Sequence, residues 1–105
     1  MNSDVLEREL VREVERHIDE NNLSHSSFAA QIFTDEKHPA HKWRRIRRQS
    51  KGKPQHLTIA QGIRAAEVLG LTLPQLLLEA EVRLKAFGPT PEPDPDERLG
   101  HKLGS

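Results

Sequence analysis

Residues 38–53, HPAHKWRRIRRQSKGK, hold four arginines in five positions (44, 45, 47 and 48), close to the chain's one tryptophan, Trp43. Guanidinium groups fork onto phosphates and guanine edges, which a lysine ammonium cannot do. Residues 37–66 carry nine basic groups and no acid, net +9. Like charges at helical spacing repel by a few tenths of a kcal/mol per pair. Nothing nearby in sequence offsets that repulsion, but a polyanion would.

The chain as a whole is neutral, so the charge is localised. Residues 1–36 carry three basic and nine acidic groups, net −6, and residues 67–105 carry four basic and seven acidic groups, net −3. A central polyanion site is flanked by acidic ends. Those ends would compete with a polyanion for the basic segment.

On a helical wheel of about 100° per residue with Trp43 at 0°, Ile46 lies near 300°, and these two define an inward face. His41, Arg44, Arg45 and Arg48 fall at i, i+3, i+4 and i+7, one outward stripe between about 100° and 200°. Lys42 and Arg47 flank it. A tryptophan three residues from an isoleucine on one face belongs to a core rather than to a base-stacking platform.

Other chemistry is weaker. His38 and His41 are three apart, and His25 and His56 are not far away, which raises zinc. The third helix offers neither cysteine nor carboxylate, so no metal is expected. His38 reads as a cap and His41 as a group facing a groove or phosphate, whose protonation would strengthen binding modestly at lower pH. Asp35 and Glu36 are loop neighbours, and Ser24, Ser26 and Ser27 read as cap and surface residues. With no glycine-rich phosphate loop and no catalytic constellation, no enzyme, cofactor or small-molecule ligand is expected.

Five helices have to position these groups. Ser3 can cap a first helix over 3–21, with Leu6, Leu10, Val14 and Ile18 on one stripe and Glu and Arg on solvated faces. Ser24 caps a second, short helix with Phe28, Ala29 and Ile32 inward. Pro39 opens the third, which runs to about Gln49 before Gly52 and Pro54 stop it. Thr58 and Gln61 have capping-box spacing at the head of a fourth helix, with Ile59, Ile63, Ala66 and Leu69 as its buried stripe and Gly70 as its stop. Thr72 caps a fifth over 72–87, with Leu73, Leu76, Leu77, Leu84 and Phe87 apolar. Its run of leucines exceeds one narrow stripe and suits a partner subunit. No strand pattern appears.

The 105 residues suit one small domain, 1–87, and a tail, 88–105, whose four prolines and scarce apolar residues read as disordered. The chain has no cysteine, hence no disulfide framework. There is no apolar run long enough for a membrane span, and MNSDVLEREL lacks a signal h-region. A cytoplasmic protein without a membrane partner is expected.

Residues 23–77 resemble the lambda-repressor-like helix-turn-helix family. LSHSSFAAQIF is similar to that family's second helix through Ser24, Phe28 and Ala29. PQHLTIAQGIRAAEVLGLTLPQLL is similar to its fourth, through Pro54, Leu57, Ile63, Ala65, Leu69, Gly70, Leu71, Thr72 and Leu76. The resemblance implies an all-α, compact five-helix bundle containing a helix-turn-helix. It implies that Trp43 and Ile46 are the buried pair of a recognition helix, and that Ala40, His41, Lys42, Arg44 and Arg45 face the major groove. It implies phosphate contacts from Ser24, His25 and Ser26 at the head of helix two, and from Arg47, Arg48, Lys51 and Lys53 at and after the end of helix three. The chain departs from the pattern at three places. Phe33 stands where the family turn has glycine, TDEK lengthens that turn, and Arg47 replaces a polar acid.

The expectation is a sequence-specific double-stranded DNA-binding regulator, dimeric through helix 72–87 and most simply a repressor. The alternatives are a protein-interaction adaptor whose basic stripe meets an acidic partner, and a non-specific nucleic-acid binder.

Overall fold

The computed structural model describes residues 3–48 and 56–90, with side chains described from Val5 onward. Five α-helices follow in order: α1 (Ser3–Glu20), α2 (His25–Ile32), α3 (Pro39–Arg48), α4 (Ile59–Val68) and α5 (Leu73–Phe87). No strand occurs among the described residues. The side chain of the expected cap Ser3, the end of the third helix at Gln49, Lys51, Lys53 and the tail from residue 91 lie outside what is described.

Local chemistry sets the helix ends. Ser24 caps α2, its hydroxyl accepting from the Ser27 amide at 3.3 Å. Thr58 and Gln61 form a reciprocal capping box on α4, at 2.9 and 3.1 Å. Thr72 and Gln75 do the same on α5, at 2.8 and 3.3 Å. α1 and α4 close alike. Asn22 (φ 57°) and Gly70 (φ 75°) turn left-handed. Leu23 then donates back to Ile18 at 2.9 Å, and Leu71 to Ala66 at 2.8 Å.

α1 packs along α5 and also touches α3, while α2 packs on α3 and on α4. The core joins Val11, Val14 and Ile18 of α1 to Phe28, Ala29 and Ile32 of α2, Trp43 and Ile46 of α3, Ala65 and Ala66 of α4 and Leu76 of α5. Phe33, where the family pattern has glycine, ends α2 with φ −101°, so the turn needs no left-handed residue. Its buried ring instead lies 6.5 Å from that of Trp43.

Two expectations are corrected. The polar flanks of α1 are not solvated: Glu9, Arg12 and Glu13 are buried, because α1 lies between α5 and α3. α4 does not bury its isoleucines: Ile59 is 76% exposed and Ile63 47%. It turns its small face inward instead, burying Gly62, Ala65 and Ala66. A Cβ on Gly62 would meet Leu73 Cδ1 at 3.3 Å, so a larger residue there would require the Leu73 side chain to give by a few tenths of an ångström. The chain just past α5 makes one contact back to the bundle. Thr90 is tied back to buried Glu9, its amide donating to Oε1 at 2.9 Å and its hydroxyl to Oε2 at 2.8 Å.

Candidate nucleic-acid interface

α3 is held by its inner face and by its last turn. Trp43 and Ile46 are fully buried, as the wheel predicts. The Trp43 ring sits 5.4 Å from Phe28 and 6.5 Å from His25, nearly parallel to the latter at 25°. Its indole N–H donates to His25 Nδ1 at 3.0 Å. His25 Nε2 in turn faces Asp19 Oδ1 at 3.2 Å.

The end of α3 is closed from α1. Arg8 donates from Nη1 to the Ile46 carbonyl at 2.7 Å and from Nη2 to the Arg47 carbonyl at 2.9 Å. Arg12 also donates to the Arg47 carbonyl. Cationic donors at a helix C-terminus satisfy orphan carbonyls and complement the dipole.

The acid-free stretch is therefore acid-free only along the sequence. Glu15 of α1 pairs with Arg12 and attracts Arg47. Burial pushes the Glu15 carboxyl up, against the pull of Arg12 and Arg47. Burial pushes the Arg47 guanidinium down, with Glu15 opposing it. The Arg47 guanidinium also lies 5.7 Å from the Trp43 ring centroid, a cation–π distance.

Of the groove-facing candidates, His41, Arg44 and Arg45 are exposed on the outer side of α3, and Ala40 and Lys42 are half-buried. Neither Arg44 nor Arg45 has a hydrogen-bond or ion-pair partner among the described residues. Of the phosphate candidates, Ser24 and Ser26 are exposed, at the α2 end that His25 fastens against α3. His25 turns inward to Trp43. Arg47 and Arg48 are half-buried, and their Nε atoms are enclosed without a hydrogen bond among the described residues. Lys51 and Lys53 lie outside the described residues.

The structure thus gathers His41, Arg44 and Arg45 into one open cationic edge, and makes His25 and Arg47 supports of Trp43. The roles of Arg8, Arg12 and Glu15 were missed in the sequence. Their only signal is that Arg8 and Arg12 stand four apart on a face away from the leucine stripe.

The histidines weighed for zinc do not converge. His38 and His41 have ring centroids 5.6 Å apart, but His25 faces Trp43 and His56 pairs with Glu7. A different group, Glu13, His17 and Glu79, brings three ligand atoms within 4.8 Å of one another. Glu13 Oε1 already meets Arg83 Nε at 2.5 Å and Arg16 Nη1 at 3.2 Å, and His17 Nε2 meets Glu79 Oε1 at 2.7 Å. Two guanidiniums beside Glu13 oppose a dication, so the group is an ion-pair joint between α1 and α5.

No helix among the described residues is long and apolar enough to cross a membrane. No family model, no curated protein and no solved structure matches the chain.

Proposed function

We propose that the chain is a sequence-specific, double-stranded DNA-binding regulator of the lambda-repressor-like kind, acting in the cytoplasm as a repressor that lays α3 in the major groove. One observation carries this. Arg44 and Arg45 stand exposed and unpaired beside His41, on a helix whose opposite face, Trp43 and Ile46, is wholly buried. A fixed helix with open arginines suits a groove about 12 Å wide that admits an α-helix and presents guanine O6 and N7 to a guanidinium fork.

Arg44 and Arg45 are the base readers, with Ala40, His41 and Lys42 beside them. Ser24 and Ser26, with the free amides at the head of α2, meet phosphate. Arg47 and Arg48 contribute mainly by field, since both are half-buried. The exposed Leu78, Val82 and Phe87 of α5 are the candidate dimer surface. A dimer would read two half-sites about one helical turn apart.

The test is the salt dependence of binding to a mixed-sequence duplex, read by anisotropy for the wild type and for Arg44→Ala/Arg45→Ala. DNA binding gives a negative log–log slope, and removing two cations from the groove-facing edge weakens binding at every salt concentration. Identical curves for the two proteins would remove α3 from the interface.

A further inference from the structure

We propose that Asp19, His25 and Trp43 form a proton-sensitive latch that seats α3 against α1 and α2, with His25 as its positioning residue. The geometry determines the protonation state. An indole N–H can only donate, so the nitrogen 3.0 Å away, His25 Nδ1, must be bare. The ring proton then sits on Nε2, aimed at Asp19 Oδ1 at 3.2 Å. The chain of contacts joins the end of α1, the first residue of α2 and the middle of α3.

Adding a proton to Nδ1 sets two donors face to face. The bond to Trp43 is lost, and the fully buried indole N–H has no other partner among the described residues. The charged groups facing His25 come from both neighbours. α1 offers Asp19 and Glu15, and α3 offers Arg47, whose guanidinium lies over the same indole. α2 itself carries no other charged residue.

Trp43 anchors the helix that carries His41, Arg44 and Arg45, so opening the latch loosens the proposed DNA edge. Grip on DNA therefore weakens on acidification, opposite in sign to a direct effect of protonating His41. This second half rests on the DNA-binding reading, and the latch itself does not.

Trp43 is the only tryptophan in the chain, so all of the tryptophan emission comes from the latch residue itself. The full-length protein is titrated without DNA over roughly pH 8 to 5, a range in which histidine side chains change charge. Wild-type emission should show a one-proton transition. His25→Asn places an oxygen acceptor where Nδ1 stood and titrates nothing, so its emission should stay at the latched level throughout. His25→Ala should show the low-pH emission at every pH. A wild-type transition that persists in His25→Asn overturns the latch, as does wild-type emission that stays flat.

With a DNA duplex, the wild type should weaken several-fold relative to His25→Asn between about pH 7.5 and about pH 5.5. Equal pH dependence in the two proteins overturns the link to binding. Failure of both to bind DNA is a failure of the function reading, and the emission titration still decides the latch.

Discussion

Arg8 of α1 donates to the backbone carbonyl of Ile46 at 2.7 Å, across 38 residues of sequence, and so closes the last turn of α3. Its second nitrogen takes the next carbonyl, that of Arg47. Charge-assisted bonds of this kind contribute about 1.5–3 kcal/mol when buried. Arg8 is half-buried, so Arg8→Ala should cost about 1–2 kcal/mol in denaturant unfolding, with the m-value unchanged. Arg8→Lys should recover only part, because an ammonium cannot fork onto two carbonyls. Full recovery by lysine would show that charge alone matters here.

The two apolar faces of α4 and α2 should respond differently to truncation. Phe28 is 1% exposed and packs on Trp43, so Phe28→Ala should cost about 3–5 kcal/mol. Ile59, at 76% exposure, should tolerate alanine within about 0.5 kcal/mol. Ile63→Ala should fall between, nearer Ile59. An Ile63→Ala cost as large as that of Ile46→Ala would put Ile63 back in the core.

Stability should carry a signature of Glu15. Burial holds its carboxyl above the usual range, against the pull of Arg12 and Arg47. A carboxyl with a raised folded pKa contributes stability below its unfolded value of 4.5 and loses it as pH rises through the folded value. Glu15→Gln cannot ionise, so it should gain on the wild type as pH rises from about 4 towards 7. Thermal melts of both proteins across that interval measure the gap. A gap moving the other way would mean that pairing with Arg12 and Arg47 outweighs burial.

The contact between Glu9 and Thr90 predicts where the folded unit can be cut. Truncation after Thr90 should leave stability unchanged. Truncation after Gly88 removes both donors from a buried carboxylate, at a cost of about 1–3 kcal/mol. Equal melting temperatures for the two truncated proteins would show that the Thr90 contact contributes nothing.

What was legible in the sequence was local. The caps at Ser24, Thr58 and Thr72 follow from side chains reaching their own helix, and the burial of Trp43 and Ile46 follows from one wheel. What was hidden was set by neighbours distant in sequence. No wheel of α1 shows that Arg8 reaches Ile46, or that Glu9 reaches Thr90. Of the stripe expected on α4, Ala66 is buried, but Gly62 and Ala65 accompany it in place of Ile59 and Ile63, because the neighbouring helices and not the α4 pattern alone set which face turns inward. Arg47 stands only about 40° from Trp43 on the wheel, so its inward turn was legible in angle. Its charge argued for solvent, until Glu15 and the indole face provided partners. His25 resembled a phosphate contact at the head of a helix, and only the three-dimensional position of Trp43 shows why it turns inward.

The central claim, that the outer face of α3 reads DNA sequence, is tested most directly by selection from a random double-stranded pool, sequenced over several rounds. Wild-type protein should enrich one motif, arranged as an inverted repeat if α5 joins two copies. Arg44→Ala/Arg45→Ala should lose that enrichment while keeping the wild-type fold by circular dichroism. Retention of DNA without enrichment, or the same motif from the double variant, would contradict the claim.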